Sequence, residues 1–411
     1  MGALKYWIWL TNLGKTIGLG AYELLERFGS PEAAYAAEDR VYEEIPGLPE
    51  SVRQGLRKKS LEEAVGILED CARLRLRVLT LQDTEYPERL RQVDRPPCVL
   101  YVKGQLPQID EELAIALVGA RRATPYGELA ARKLAMGLAR QGAVVVSGIA
   151  QGVDSAALKG ALTGGGRVVS VLGNGIDVVY PKSSESLYED IPLSGALVSE
   201  YPPGTPPEGS HFPVRNRIIS GLSLGTVVVE GDEHSGALIT ARRALEQNRD
   251  VFAVPGNWDA SLSRGPNRLI QRGEAKLVLE PWDILEEYEH TYPHKIHPRP
   301  PLEDTWKPVA PTAQARQSPQ RVPEETLQEP AVVIDLIQDP EALTDDEREI
   351  LLVLRGKLST ADDVIEATGL PAKRVLSALT MLQVQGLVFE EAGKRFRTSV
   401  VIKAPEQQTA P

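Results

Sequence analysis

The stretch AVVVSGIAQGVDSAALKGAL, residues 143–162, decides the fold. It opens with a short β-branched run, apolar on both sides of the chain, as a strand buried on both faces reads. Gly148 and Gly152 then interrupt it, and from Val153 onward the composition turns helical. A strand running through a glycine turn into a helix is half of a βαβ unit. The pattern recurs on either side: AIALVG (114–119), RVVSVLG (167–173), GTVVVEG (225–231) and DVFAVPG (250–256) each end on or just before glycine. Helical stretches such as GELAARKLAMGLARQ (127–141) and SGALITARRALEQN (235–248) lie between them. The alternation predicts an α/β fold with a parallel sheet covered on both faces. In such sheets ligands bind at the carboxyl ends of the strands, where these glycines lie.

The glycine turns carry the first candidate chemistry. Gly148, Gly152 and Asp154 sit at a strand-to-helix turn, where backbone N–H groups can approach a phosphate. A tight turn needing positive φ is the plainer alternative, and the residues leave both open. In VGARRATPYG (118–127) a strand ends at Gly119, and Arg121 and Arg122 follow ahead of a helix starting near Pro125. Cations above a strand end suit an oligoanion, although a solvated loop would look the same. Nucleotide fingerprints fail: LGKT (13–16) has Trp9 where a phosphate loop needs its first glycine, and LGNGIDVV has Val178 at the third glycine's place. EGDEHSGALITARRA (230–244) gathers Glu230, Asp232, Glu233 and His234, which suggests acid–base work. No nucleophile motif accompanies them, and an acidic loop ahead of a helix is the safer reading.

HFPVRNRIISGLS (211–223) concentrates Phe212, Arg215, Asn216 and Arg217. The two arginines share a side if the stretch is extended and diverge if it is helical. A ring beside arginines suits an unpaired polynucleotide, because bases stack on rings and guanidinium groups neutralise phosphates. The competing reading puts Phe212 in the core and pairs the arginines with nearby acids.

Composition frames these sites. The chain has 411 residues, 42% hydrophobic and 25% charged, with a net charge of −11, a soluble globular balance that argues against indiscriminate coating of duplex DNA. Residues 324–411 hold 9 basic and 16 acidic side chains, whereas residues 111–285 hold 17 and 19, leaving room for a local basic groove in the middle of the chain. No apolar stretch approaches a membrane span and no leader is evident, so a cytoplasmic protein is expected. Cys71 and Cys98 show no metal or disulfide spacing. His290, His294 and His297 have metal-like spacing without a carboxylate or thiol partner, and no metal is assigned.

Residues 1–80 read as a small helical domain of sterile-alpha-motif or helix-hairpin-helix type, 81–288 as the α/β domain, and 289–338 as a proline-rich linker. Residues 339–403 spell a winged helix, with Thr344 and Glu347 as a capping box, and 404–411 form a tail. Its cations are Lys373 and Arg374 on the presumed recognition helix and Lys394, Arg395 and Arg397 on the wing. Duplex contact and protein contact are both open for this domain.

YPERL (86–90), VGARRATPYG, VVSGIAQGVDSAALKGAL, LGNGIDVVYPKSSESLYEDI, SEYPPGTPP, FPVRNRIISGLS, SGALITARRALEQNRDVFAVPGN and SRGPNRLIQRG, in this order, resemble the DNA-processing protein A family (DprA, also called Smf). The resemblance implies an extended Rossmann-like domain that binds and protects single-stranded DNA without hydrolysing it. It further implies loading of the RecA recombinase during natural transformation, displacement of single-strand-binding protein, and a homodimer. By motif position the strand-binding groups would be Arg121, Lys182, Phe212, Arg215, Asn216 and Arg217. Gly119, Gly148, Gly152, Gly173 and Gly175 would shape the pocket. Many members carry a histidine where this chain has Ala157, which fits a binding protein better than an enzyme. No cofactor is expected. The rival expectation is a Rossmann-like nucleotide phosphoribohydrolase, for which Glu230 is the nameable acid.

Overall fold

The β-branched runs all become strands, within a sheet that reaches further than they do. In the computed structural model, which describes residues 2–14, 18, 20–296, 333–335, 343–355, 357–391, 395–398 and 400–403, one sheet holds nine strands. They are β1 (Arg77–Thr80), β2 (Val99–Gly104), β3 (Ala114–Val118), β4 (Val144–Ser147), β5 (Val168–Leu172), β6 (Ala196–Ser199), β7 (Gly225–Val228), β8 (Asp250–Ala253) and β9 (Lys276–Leu277). Their order in space is β1-β2-β6-β5-β4-β3-β7-β8-β9. From β6 across to β9 every pairing is parallel. The β1–β2 and β2–β6 pairings are antiparallel, an edge the sequence reading did not anticipate.

The chain moves outward from β3 through β4 and β5 to β6, then returns to place β7 on the other flank of β3. This reversal makes the β3–β7 junction the topological switch point, where the loops leaving two adjacent strands turn to opposite faces.

The helices of this unit are α1 (Leu4–Thr11), α2 (Ala21–Phe28), α3 (Pro31–Ala36), α4 (Asp39–Glu43), α5 (Glu50–Lys58), α6 (Glu62–Arg73), α7 (Glu88–Arg91), α8 (Pro125–Arg140), α9 (Val153–Thr163), α10 (Glu185–Ser194), α11 (His211–Gly221), α12 (Gly236–Glu246), α13 (Arg264–Gln271) and α14 (Trp282–Leu285). Strand alternation sorts them. Ile115 and Leu117 face α8 and α9 through Leu134, Leu138, Ala157 and Leu158. Ala114, Ala116 and Val118 face α11 and α12 through Ile218, Ile219, Ala237 and Ala241. Trp7, Ile8 and Leu10 of α1 share the first of these cores with Val99 and Tyr101 of β2. Residues 1–80, expected as a helical module of their own, thus pack into the same unit as the sheet, Met1–Thr305, and their last four residues form its edge strand. Cys71 and Cys98 are buried free thiols. Among the described residues no helix is long and apolar enough to cross a membrane.

The second unit, Trp306–Pro411, contains β10 (Val333–Asp335), α15 (Asp345–Leu354), β11 (Ser359–Thr360), α16 (Ala361–Thr368), α17 (Ala372–Val384), β12 (Val388–Glu391), β13 (Arg395–Thr398) and β14 (Val401–Lys403). Thr344 and Glu347 form the capping box read from the sequence, and Thr360 with Asp363 forms a second. Ile350, Leu354, Val364, Val375, Leu379 and Phe396 close a separate core. Three helices with the antiparallel β11-β13-β12 sheet make a winged helix. The wing turn with Lys394, His297, and most of the 289–338 linker lie outside the described residues.

Candidate nucleic-acid interface

The strand ends β3, β4 and β5 deliver Gly119, Gly148 and Gly173 to one edge of the sheet. Two of the glycine requirements are steric. A Cβ on Gly148 would lie 2.6 Å from both Arg215 Nη2 and Asp154 Oδ2. Gly152 opens α9 at φ +83°, and a Cβ there would meet the Ala120 carbonyl at 2.4 Å. Gly119 lines the pocket described below, and Gly173 lies under the Phe212 ring. Gly175 faces the Pro202–Gly204 loop, so it shapes that loop rather than the pocket wall.

Residues 211–221 are helical, and this settles which motif residues converge. Positions three and four apart share a helix face, so Phe212 sits over Arg215 and Asn216, whereas Arg217 points away. Phe212 is half-buried. Its ring carries the Arg121 guanidinium at 4.7 Å and the Arg215 guanidinium at 5.8 Å, and Tyr180 approaches it at 5.8 Å. Behind the ring, His211 Nδ1 lies 3.1 Å from the Gly173 carbonyl oxygen and its imidazole stacks on Tyr201 at 4.2 Å.

Arg215 is 3% exposed. Its Nη1 donates to the Gly148 carbonyl at 2.8 Å and to that of Val171, tying the ends of β4 and β5 together. Burial pulls its pKa down to about 10, against the pull of nearby Asp154. Burial pushes the Asp154 carboxyl up to about 6, opposed by Arg215 and by backbone hydrogen bonds from the surrounding turns. Asn216 donates to the Gly236 carbonyl at 3.3 Å, fastening α11 to the start of α12. Arg217 forms a buried two-pronged ion pair with Glu200, at 2.8 and 3.0 Å. The expectation that Arg215 and Arg217 both line the strand-binding trough therefore needs redrawing. Arg215 is a buried brace in the pocket wall, and Arg217 lies on the far side of its helix with its charge already met.

Two adjoining hollows occupy the strand ends. The larger, about 440 Å³, is bounded by Arg121, Arg122, Asp154, Phe212, Asn216 and Asp232 at the β3–β7 switch point. The smaller, about 70 Å³, lies between Gly148, Gly173, Tyr180, Pro181 and the same Phe212 ring. Lys182 is exposed and follows Pro181 directly. Arg121 and Arg122 are exposed, and no carboxylate pairs with either among the described residues. Glu230, the candidate acid of the enzymatic reading, is 2% exposed and already engaged. It accepts from the Thr124 backbone N–H at 2.8 Å and the Thr124 hydroxyl at 2.5 Å, and so staples the loop that carries Arg121.

A doubly wound sheet with a half-buried ring, exposed guanidinium groups and a pocket at its switch point defines an α/β fold whose strand ends are suited to a flat, polyanionic ligand. The sequence profile described as DNA recombination-mediator protein A matches residues 77–289, and that of the DprA winged helix domain matches residues 336–394. Protein Smf of Synechocystis sp. is 32% identical over 366 residues, covering 84% of this chain and 88% of its own. The X-ray structure of DNA processing protein A from Streptococcus pneumoniae, 33% identical, superposes with a TM-score of 0.61 over 69% of this chain and 97% of its own. The Helicobacter pylori protein, whose structure concerns its single-stranded DNA binding mode, is 29% identical over 53% of this chain and 99% of its own, with a TM-score of 0.48, too loose a likeness for comparing side chains. The chain belongs to the DNA recombination-mediator protein A family.

Sequence reasoning named Arg121, Phe212 and the strand-end glycines, and the structure brings these together. It missed Tyr180, whose ring completes the smaller hollow. The signal available was an aromatic just before the proline of VVYP, at a strand-to-helix connection.

Proposed function

We propose that the first unit binds single-stranded DNA along the carboxyl edge of its sheet and, as a recombination mediator, passes the strand to the RecA recombinase. The observation that carries this reading is the Arg121 guanidinium lying 4.7 Å over the half-buried Phe212 ring at the mouth of the larger hollow. A base can stack against this ring–guanidinium pair, while Arg121, Arg122 and Lys182 remain available to phosphates. Stacking needs an unstacked base, which a duplex does not offer without opening. In this reading Arg215, Asn216 and Arg217 hold the platform rather than touch the strand. The family's mediator role supports a recombinase partner, and with it competition with single-strand-binding protein, a homodimer and a cytoplasmic setting in natural transformation. The capture of Glu230 by Thr124 favours binding over hydrolysis.

The test is a titration of the full chain with a single-stranded oligonucleotide and a duplex of equal length at two salt concentrations. The single strand is expected to bind more tightly, with affinity falling as salt rises. Arg121→Glu is expected to weaken it by about ten- to a hundredfold at low salt and to flatten the salt dependence. Equal affinity for duplex, or unchanged binding by both Arg121→Glu and Phe212→Ala, would overturn the assignment.

A further inference from the structure

Trp258 is 87% exposed, more than any other large apolar side chain among the described residues. An indole left in water offers a large, rigid, flat face that folding has not used. Its position is telling. The loop 254–263 leaves the carboxyl end of β8, the same edge of the sheet as the two hollows. β8 pairs with β7 and β7 with β3, so this loop starts two strands, about 10 Å, from the loop carrying Arg121 and Arg122.

The two loops are physically joined. Tyr126, in the first turn of α8 and 50% exposed, donates its hydroxyl to the Pro255 carbonyl at 2.7 Å. Asn267 holds the next residue from the other side, donating to the Gly256 carbonyl at 3.0 Å and accepting from its N–H at 3.1 Å. Leu262, from the same loop as Trp258, lines the larger hollow. Arg264 is exposed just beyond the loop with no carboxylate partner among the described residues, while Asp259 and Asp232 are the acids nearby.

We propose that Trp258 is a second base platform, on which the strand bound at Phe212 stacks again after crossing the β7 end of the sheet, with Arg122 and Arg264 meeting the phosphates between. The inference rests on the single-strand reading of the Phe212 site and extends it. The choice of a nucleobase follows from continuity with that cationic pocket through Leu262 and Tyr126. The Phe212 ring lies over Gly173 at the end of β5, four strand spacings or about 19 Å from β8, so a strand needs about six nucleotides at a stacked rise of about 3.4 Å to engage both platforms, more than a tetranucleotide offers.

The experiment compares short and long oligothymidylates, about 4 and about 16 nucleotides, on the full chain. Trp258→Ala is expected to weaken the long strand by about five- to a hundredfold and leave the short one unchanged. Its melting temperature should match the wild type, because the side chain is exposed. Trp258→Phe, which can still stack, is expected to keep most of the affinity but to lose most of the fluorescence quenching that the long strand produces in the wild type; the other four tryptophans, Trp7, Trp9, Trp282 and Trp306, are common to both proteins and set the same background. Equal long-strand affinity in Trp258→Ala, or quenching undiminished in Trp258→Phe, overturns the proposal, as it would if Trp258 served a protein partner instead. If neither oligonucleotide binds the wild type, the Phe212 reading falls and this one with it. If Phe212→Ala weakens both strands while Trp258→Ala changes neither, only the second platform is lost.

Discussion

At the carboxyl edge of the large sheet, Arg121 lies over a ring and no described carboxylate answers its charge; in the winged helix, Arg374 is held by both oxygens of Asp346 and Arg397 is held by Glu391. The first set can exchange solvent for phosphate at little cost. The second must break an ion pair first. The same contrast runs through α11, where Arg217 is met by Glu200 and Arg215 by two carbonyls, so that of these three side chains the ring of Phe212 is the one left to face a ligand in the pocket that α11 helps to line. On the proposed reading, an arginine of this protein meets the strand only where its counter-charge is missing. Elsewhere it is a brace.

The largest test of that distinction is Glu200→Ala. Glu200 is 5% exposed and its partner is largely buried, so removing the carboxylate leaves an uncompensated cation in the interior. Burial alone works against the Arg217 charge, and Glu200 more than restores it, leaving its pKa above the ordinary value. Breaking such a pair costs about 3–5 kcal/mol, read as a lowered denaturant midpoint. The folded fraction should bind single-stranded DNA as the wild type does. A variant of full stability that binds single-stranded DNA about tenfold more tightly at low salt would show instead that Arg217, once freed, reaches the strand.

A second test concerns Asp154 beneath the pocket. Its folded pKa is raised to about 6 by burial from an ordinary value of 3.8. The folded state therefore holds a proton that the unfolded chain has released, and this stabilisation, complete below about pH 4, is lost as pH rises through about 6. A shift of about two units corresponds to about 3 kcal/mol. Asp154→Asn cannot titrate, so the stability of the wild type relative to this variant is expected to fall by about that amount between about pH 3 and about pH 7. A difference that stays flat, or rises, would mean that Arg215 controls the carboxylate more strongly than burial does.

The sequence showed the sheet because five strands announce themselves with β-branched runs ending on glycine. β6 escaped notice because its run, ALVS, passes into Glu200 and Tyr201 with no glycine to mark its end. β1 and β2 were hidden in a segment broken by prolines, and antiparallel edge strands need no helix between them to betray their pairing. In 211–223 the chemistry was legible and the geometry was not. Val214, Ile218 and Leu222 recur at helical spacing, and Pro213 is tolerated in a first turn, but the arginines drew the reading toward a strip of cations. No local pattern could pair Arg217 with Glu200, seventeen positions away. Trp258 left no signal either, as one aromatic in a Pro-Gly-Asn loop belongs to no period.

The smallest expected effect tests the other half of the comparison. Arg374→Ala and Arg397→Ala, separately and together in the full chain, should leave affinity for both single-stranded and duplex oligonucleotides within about twofold of the wild type, since each guanidinium already spends its charge on a neighbouring carboxylate. Asp346 holds the Arg374 pKa above its usual value, which shows the direction of that coupling. Titrating both oligonucleotides at low salt, where phosphate contacts weigh most, gives these pairs their best chance to open. A tenfold loss of duplex affinity in either variant would mean that phosphate outcompetes the carboxylate there, and the winged helix would then be a second DNA-contacting surface rather than a braced one.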